Sequence, residues 1–236
     1  MAQGSQKQPR GIMISHRHKC IFIHIPKCAG TSIEEALGHL DGHTGRGGQD
    51  HRSIRHLQPL QTNRFSLSND NIYEIAKRLK RQYFKSELNH RNKYTVTDTQ
   101  YDSYFKFTFI RNPWARAFSW YKAVMRDEIT KKGLRITGNP SLEEALKTHA
   151  GKGLLKPQPY WIKDFTGTIH LDYIGRFETL EDDFEEVRKK ANLPEIKLPH
   201  RLKGLGGEYR KHYTETAKKI IAKIYEEEIA LFKYTF

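Results

Sequence analysis

Hydrophobic and polar positions follow two patterns along the chain. Three short runs, at residues 21–25, 105–110 and 171–177, are rich in β-branched and aromatic residues, as buried strands are. Between them, apolar residues recur every three or four positions, as on one face of an amphipathic helix. Strands that alternate with helices predict an α/β protein, here a P-loop-like three-layer fold with a central, mainly parallel sheet flanked by helices.

The helical pattern is clearest in four places. Helices are expected to begin at about Thr31 and at Pro113, and to cover residues 70–88 and 214–232. The helix over residues 70–88 is expected to turn one apolar side to the core. That side carries Ile72, Ile75, Ala76, Leu79 and Tyr83.

Capping signals and the basic start of the chain complete the outline. Capping boxes from Ser141 to Glu144 and from Thr179 to Asp182 predict two more helices. Residues 1–17 are basic and polar and are predicted to form a flexible leader. Residues 18–236 show no internal repeat and no linker, so they are predicted to form a single domain.

Composition adds a preference for anionic partners. Lys and Arg number 41 against 27 Asp and Glu, which gives a formal net charge of +14. Such an excess favours a nucleotide, an acidic polysaccharide, nucleic acid or a membrane surface, and it does not choose among them. Hydrophobic residues make up 37% of the chain, which excludes the composition of a disordered protein.

The cysteines and the apolar runs bear on the compartment. Cys20 and Cys28 stand near the two ends of the first predicted strand, too far apart to pair, and two free thiols fit a reducing compartment. No apolar run is long enough for a membrane span or a signal peptide. A cytoplasmic protein is therefore expected, or the soluble catalytic part of a longer one.

The loop after the first strand is the first candidate anion site. Ala29 and Gly30 are small enough for the backbone to approach an anion, Thr31 and Ser32 can donate hydroxyl hydrogen bonds, and Lys27 adds a charge. An ATP or GTP P-loop has its lysine after the last glycine, whereas Lys27 precedes Gly30. The alternative is an ordinary turn with a surface lysine.

The end of the second strand is the other candidate. Arg111 ends this strand, and Ser119 lies about two turns into the next helix, so the pair can grip a phosphate. Arg116 is expected either to contact the phosphate or to face solvent. The aromatic residues of this helix are interpreted as core: Trp114, Phe118 and Tyr121.

The two segments resemble motifs of one enzyme family. Ile-His-Ile-Pro-Lys-Cys-Ala-Gly-Thr-Ser, residues 23–32, resembles the 5′-phosphosulfate loop of sulfotransferases that use 3′-phosphoadenosine-5′-phosphosulfate (PAPS). Phe-Ile-Arg-Asn-Pro-Trp-Ala-Arg-Ala-Phe-Ser-Trp-Tyr, residues 109–121, resembles their 3′-phosphate motif. The match is to the branch with carbohydrate sulfotransferases and short bacterial relatives, and it extends to residues 173–180 and 224–232.

The resemblance implies a role for each motif residue. Lys27 would contact the 5′-phosphosulfate and steady the bridging oxygen, and Gly30, Thr31 and Ser32 would hold the 5′-phosphate. Arg111 and Ser119 would hold the 3′-phosphate, and the desulfated product would be 3′-phosphoadenosine-5′-phosphate (PAP).

One part of the loop departs from the family pattern. Cys28 and Ala29 stand where relatives often carry Thr-Gly. Backbone contacts at Ala29 are expected to survive this change, and Cys28 is expected to make the site sensitive to oxidation.

The acceptor hydroxyl needs a general base, and the resemblance favours His51, because relatives carry a histidine at a similar place. The alternative is that His51 is simply an exposed histidine. His56 is the second choice, and Glu34 or Glu35 stay open because some carbohydrate sulfotransferases use a glutamate. The family chemistry requires no metal. The pair His16 and His18 lies in the leader and is expected to be solvated.

The expected acceptor is a hydroxylated molecule, most simply an anionic or neutral saccharide. Two alternatives are a P-loop-type nucleotide kinase and a non-enzymatic polyanion-binding protein, although no nucleic-acid motif is visible. Arg176 and Glu178 are interpreted as a structural pair beside the cleft. The basic segment 201–212 is either a loop over the donor and acceptor or a solvated loop.

Overall fold

The computed structural model describes residues 13–41, 47–60, 68–84, 90–93, 95–199 and 208–236. A four-stranded sheet runs in the order β1 (Ile14–Ser15), β2 (Cys20–Ile23), β3 (Phe105–Ile110) and β4 (Tyr173–Arg176). β2, β3 and β4 are parallel, with Phe22 opposite Phe107 and Phe109 opposite Gly175, and β1 pairs with β2 in the antiparallel sense. The predicted α/β architecture with a mainly parallel sheet is confirmed.

Ten α-helices flank and follow the strands in the described residues. They are α1 (Gly30–Ala36), α2 (Asn69–Phe84), α3 (Asp98–Ser103), α4 (Pro113–Met125), α5 (Glu128–Gly133), α6 (Leu142–His149), α7 (Gln158–Ile162), α8 (Leu180–Lys190), α9 (Glu215–Ile224) and α10 (Glu226–Phe232). Short 3-10 turns occupy Ile54–His56, His90–Lys93, Gly153–Leu155, Phe177–Thr179 and Glu208–His212.

Two buried clusters hold these elements together. One surrounds the sheet and includes Phe22, Phe107 and Phe109, and the other lies between α4, α6 and α9, around Trp120 and Ile221. Because the three long strands are parallel, their carboxyl ends meet at one edge of the sheet, which is where open α/β sheets bind ligands. Both candidate motifs begin at this edge.

The start of the described chain differs from the expected flexible leader. Ile14 and Ser15 form β1, and Met13 and Ile14 have no solvent exposure. The pairing of Ile14 with Ile21 explains the difference, since it buries the apolar residues of the segment against β2. Residues 1–12 of the predicted leader lie outside the described residues.

Helix α2 is turned opposite to the prediction. Ile72, Leu79 and Tyr83 are exposed, whereas Asn71 and Glu74 are buried. The residues beneath α2 are polar and need partners. The predicted end of this helix, residues 85–88, lies outside the described residues.

The buried side of α2 supplies partners to the polar residues beneath it. Asn71 accepts a hydrogen bond from Arg55 (2.9 Å) and donates one to the carbonyl of Phe165 (2.8 Å). Glu74 accepts hydrogen bonds from Ser53 (2.5 Å) and from the hydroxyl of Tyr160. Buried polar groups that lack such bonds are costly, and this requirement overrides the apolar pattern of the helix.

Two helix boundaries also need correction. The predicted helix over residues 214–232 is broken at Tyr225, whose buried hydroxyl donates to the carbonyl of Leu155 (2.6 Å). The helix predicted after Thr179 exists as α8, but Thr179 bonds to Asp183 rather than forming a box with Asp182. The capping box at Ser141 and Glu144 is confirmed.

The orientation of α2 predicts effects of different size on stability for neighbouring substitutions. Asn71→Ala leaves the Arg55 guanidinium and the Phe165 carbonyl without these bonds, which is expected to lower the free energy of unfolding by about 1–3 kcal/mol. Ile72→Ala, on the exposed side, is expected to change it by less than about 0.5 kcal/mol. Urea unfolding measures both, and a larger loss for Ile72→Ala than for Asn71→Ala contradicts the orientation.

Candidate active site

A cleft of about 700 Å³ lies at the carboxyl edge of the sheet. Each parallel strand contributes to it: His24 and Lys27 follow β2, Arg111 follows β3 and Phe177 follows β4. The other lining residues come mainly from the start of α1, the segment before Ile54 and one face of α4. They are Pro26, Ala29, Gly30, Thr31, Gln49, His51, Ala115, Phe118, Ser119, Lys122, Ala123, Arg126, Leu154 and Tyr209.

The loop between β2 and α1 has an unusual backbone. Lys27 and Ala29 have positive φ angles of 71° and 65°, which side chains other than glycine rarely adopt. Such conformations cost free energy and are found mostly where function requires them. The Lys27 side chain makes no hydrogen bond or ion pair in the described residues. Burial, and then the nearby Arg111 guanidinium, hold the pKa of Lys27 below its usual value.

Arg111 joins the two motifs. Its guanidinium stacks on the Phe177 ring, 3.8 Å from the centroid, and its Nη1 donates to the carbonyl of Lys27 (3.1 Å). Its Nε is buried and has no hydrogen-bond partner in the described part of the chain. Burial lowers the pKa of Arg111. A fixed guanidinium with a donor to spare is suited to bind an anion.

The face of α4 that begins at Ser119 extends this basic surface. Lys122 and Arg126 lie three and seven positions after Ser119, so all three share one side of the helix and line the cleft. The sequence analysis did not identify Lys122 or Arg126. Their helical spacing from Ser119 is the signal that could have identified them. With Lys27 and Arg111, the lining holds four cations, and no carboxylate lines the cleft among the described residues.

Gln158 holds the two motif loops together, and nothing in the sequence pattern marked it. Its Oε1 accepts from the backbone N–H of Arg111 (2.8 Å) and from the Cys28 thiol (3.4 Å). Its Nε2 donates to the Arg111 carbonyl (2.8 Å) and to Glu228 (3.0 Å). This fully buried amide thereby fixes the distance between the start of α1 and the end of β3.

His51 is the only expected base among the four candidates that lines the cleft in the described residues. Its Nδ1 lies 3.4 Å from the backbone carbonyl of His24. A carbonyl only accepts hydrogen bonds, so Nδ1 carries the proton and Nε2 keeps its lone pair. Burial, followed by the charge of His24, lowers the pKa of His51 to about 3, which keeps the ring neutral near pH 7.

The three other candidates for the base lie elsewhere. His56 Nδ1 lies 2.8 Å from Glu74 beneath α2. Glu34 is buried under His24 and does not line the cleft, and Glu35 lines a separate cavity with Asp41.

The structure brings together most of the residues that were predicted to contact the sulfuryl donor. Lys27, Ala29, Gly30, Thr31, Arg111 and Ser119 all line the cleft, and Ser32 does not. Ser32 is buried, and its backbone N–H donates to the carbonyl of Ala29 (3.0 Å). Trp114 and Phe118 are buried as predicted, and Phe118 also forms part of the cleft wall.

Arg116 neither faces solvent nor lines the cleft. It is buried and donates to the carbonyls of Pro26 (3.0 Å), Leu154 (2.9 Å) and Lys156 (3.1 Å), so it joins the loop between β2 and α1 to the segment before α7. Its length explains the difference, since the side chain extends inward far enough to reach three backbone carbonyls.

Arg176 and Glu178 are structural, as predicted, but they do not pair with each other. Arg176 donates to the carbonyl of Phe232 (2.7 Å), and Glu178 accepts from the backbone N–H of Asn112 (2.7 Å) and from Tyr234 (3.2 Å). Each side chain thus ties the end of the chain to the cleft edge. Of the predicted basic segment, residues 201–207 lie outside the described residues, and Tyr209 lines the cleft.

The expected oxidation sensitivity of Cys28 is not supported. Cys20 and Cys28 are both free and buried, and burial raises the pKa of the Cys28 thiol to about 12. The reactive thiolate is therefore scarce near neutral pH. No group of three or more His, Cys, Asp or Glu suited to a metal ion occurs in the part of the chain that the structure describes. No helix within those described ranges is both long and apolar enough to cross a membrane.

Comparison with known proteins gives one family match and several relatives. A family model described as "Sulfotransferase family" matches residues 10–153. Carbohydrate sulfotransferase 11 of Rattus norvegicus is 22% identical over 260 residues, which cover 95% of this chain and 67% of that protein. The Danio rerio protein of the same name is 23% identical over 207 residues, 75% of this chain and 52% of that protein.

A third relative matches only a part of the chain. An uncharacterized protein of Archaeoglobus fulgidus is 33% identical over 95 residues, which are 40% of this chain and 73% of that protein. No solved structure gives a significant match.

The packing of Gly30 against His24 predicts a strict requirement for glycine. A Cβ at position 30 would lie 1.9 Å from Cδ2 and Nε2 of His24, and the ring has little space to move because it is buried. Gly30→Ala is expected to lower the free energy of unfolding by about 1–3 kcal/mol. Gly133→Ala is the control, since a Cβ there has no neighbour within 4 Å among the described residues. Equal melting temperatures for the two variants contradict this packing.

Proposed function

This chain belongs to the sulfotransferase family, and we propose that it transfers a sulfuryl group from PAPS to a hydroxyl of an acceptor. One observation carries the proposal: the cleft has four cations in its lining and, in the described ranges, no carboxylate. Such a lining attracts a ligand with several negative charges. PAPS is one, since its 3′-phosphate alone carries about −1.5 to −2 at pH 7.

The two motifs supply separate contacts for the two ends of the donor. Lys27, Ala29, Gly30 and Thr31 are proposed to hold the 5′-phosphosulfate, with Ser32 supporting the loop from within α1. Arg111 and Ser119 are proposed to hold the 3′-phosphate. Burial, and then the charge of the nearby Arg111, lower the pKa of Lys27, and an anion between the two cations relieves their repulsion.

The reaction requires proton removal and charge stabilisation. The acceptor oxygen forms a bond to sulfur while the bond from sulfur to the 5′-phosphate oxygen breaks, which leaves PAP. His51 Nε2 takes the acceptor proton, because its lone pair faces away from the carbonyl that binds Nδ1. The Lys27 ammonium stabilises the negative charge that develops on the leaving oxygen. These steps need no metal.

A carbohydrate hydroxyl is the proposed acceptor. The relatives that cover most of this chain are named carbohydrate sulfotransferases, which supports a saccharide. A P-loop kinase has less support, because Mg²⁺ binds carboxylates and the cleft lining offers none among the described residues. A cytoplasmic location is also proposed, and the two free cysteines support it.

Calorimetric titration with PAP tests the donor site. The wild-type protein is expected to bind PAP more tightly than 5′-AMP or ATP. Arg111→Ala and Ser119→Ala are each expected to weaken PAP binding by about 10- to 100-fold, because each removes a hydrogen bond to the charged 3′-phosphate. Arg188→Ala is the control, since its guanidinium pairs with Glu185 on α8 and does not line the cleft.

Failure would take a definite form. Equal or absent binding of PAP, 5′-AMP and ATP, together with no sulfated product from PAPS and a broad panel of saccharides, overturns the proposed function. Phosphotransfer from ATP that depends on Mg²⁺ would favour the kinase.

Substitution of His51 tests the proton acceptor. His51→Ala is expected to lower kcat by about 10²- to 10⁴-fold, because no other histidine or carboxylate lines the cleft in the described residues besides His24. PAP affinity is expected to stay nearly unchanged. His170→Ala, an exposed histidine paired with Asp164, serves as the control. Retained kcat in His51→Ala moves the base to another residue.

A further inference from the structure

Glu34 is a buried carboxylate that the donor contacts do not use. It lies on α1 with 1% of its surface exposed. Its Oε1 accepts two hydrogen bonds, from Nδ1 of His24 (2.8 Å) and from the backbone N–H of Asp50 (3.1 Å). An alanine would fit the helix without the cost of burying a carboxylate. The two groups that donate to Oε1 therefore indicate what the carboxylate does.

The first partner, His24, is held on three sides. Glu34 fixes Nδ1, the Phe22 ring stacks 5.7 Å from the imidazole centroid, and the opposite edge of the ring abuts the Cα of Gly30. His24 also lines the cleft. Because of these three contacts the His24 ring has one orientation, and that orientation depends on the Glu34 carboxylate.

The second partner leads directly to His51. Asp50 precedes His51, and its own carboxylate accepts two hydrogen bonds from Arg52 Nε (2.8 and 3.0 Å). The His51 ring lies 4.2 Å from the His24 ring between centroids, and His51 Nδ1 bonds to the His24 carbonyl. One oxygen of Glu34 thus holds both the residue on which His51 packs and the residue before it.

We propose that Glu34 and His24 are positioning residues that fix the tautomer and orientation of His51 for removal of the acceptor proton. The catalytic part of this inference rests on the proposed function, in which His51 accepts a proton. That Glu34 orients His51 rests only on the hydrogen bonds described above. Glu34 acts through His24 and the Asp50 backbone and touches no substrate.

The negative charge of Glu34 adds an electrostatic contribution. When His51 takes the acceptor proton it becomes an imidazolium, and a nearby carboxylate stabilises that cation. Burial raises the pKa of Glu34 to about 7, while burial lowers the pKa of His24 to about 3, so the carboxyl is the group that titrates near neutral pH.

Other charged and titratable groups face the pair from each neighbouring element. His39, after α1, lies 3.8 Å from Glu34 Oε2, Asp50 lies on the His51 segment, and Lys27 lies on the loop after β2. Arg52 and Arg81 pair with Asp50 and offset its charge. Above its pKa Glu34 is ionised and stabilises the imidazolium, so kcat is expected to fall as the pH drops through about 7.

Two Glu34 variants separate the hydrogen bonds from the charge. Glu34→Ala removes both, and it is expected to lower kcat by about 10- to 100-fold through misplacement of His51 while PAP affinity changes by less than about threefold. Glu34→Gln keeps an acceptor oxygen, and it is expected to remove the decline of kcat near pH 7. Glu35→Gln is the matched control, because Glu35 is the next residue of α1 and lines another cavity.

A readout that needs no activity accompanies the kinetics. Nitrogen–proton correlation spectra of ¹⁵N-histidine-labelled protein report which ring nitrogen of His51 carries the proton. Wild type and Glu35→Gln are expected to show the proton on Nδ1, and Glu34→Ala a mixture of tautomers. A melting curve for each variant establishes that it is folded. If Glu34→Ala does not fold, Glu34→Met, which keeps the side-chain volume but removes the acceptor oxygen, carries the test of positioning through the His51 spectra, and Glu34→Gln tests the charge through its pH profile.

The outcomes distinguish this inference from the proposed function. An unchanged His51 tautomer in folded Glu34→Ala overturns the positioning role. A kcat–pH profile of Glu34→Gln that matches wild type overturns the electrostatic contribution of the Glu34 charge. Absence of PAP binding and of any sulfated product overturns the proposed function. In that event the spectra still decide whether Glu34 controls the His51 ring.

Discussion

Parallel pairing of β2, β3 and β4 is the constraint on which the site depends. Because the three strands run the same way, the residues that follow them meet at one edge of the sheet, and they include Lys27, Arg111 and Phe177. β2 and most of β3 are buried, β4 is largely half-buried, and no residue within these three strands lines the cleft. Strand order does not determine the distances between the loops that follow the strands. Hydrogen bonds of Gln158 and Arg116 set these distances.

The sequence was sufficient for the three parallel strands and for most of the cleft lining, but not for β1, which was expected to be part of a flexible leader. Apolar runs located β2, β3 and β4, and motif residues around Lys27 and Arg111 were placed at their ends and do line one cleft. These features are local, since each depends on a strand and the turn that follows it. Gln158 is different, because its role arises from contacts with residues 47 and 130 positions away.

Helix α2 shows why other parts were not predictable. Its periodicity identified a helix correctly, but periodicity does not say which face meets the core when the neighbouring interior is polar. Asn71 and Glu74 turn inward because Arg55, Ser53 and Tyr160 need partners there. The break at Tyr225 has the same character, since a long-range hydrogen bond to Leu155 accompanies it within an otherwise continuous helical pattern.

The unbalanced charge of the cleft has a kinetic consequence. Four cations with no carboxylate among the described lining residues produce a positive potential that extends into solvent and steers an anion toward the opening before contact. Ions in solution screen this potential, with a Debye length of about 10 Å at 0.1 M salt. The association rate of a polyanion should therefore depend more steeply on ionic strength than its dissociation rate, so that salt governs capture and the local hydrogen bonds govern residence time.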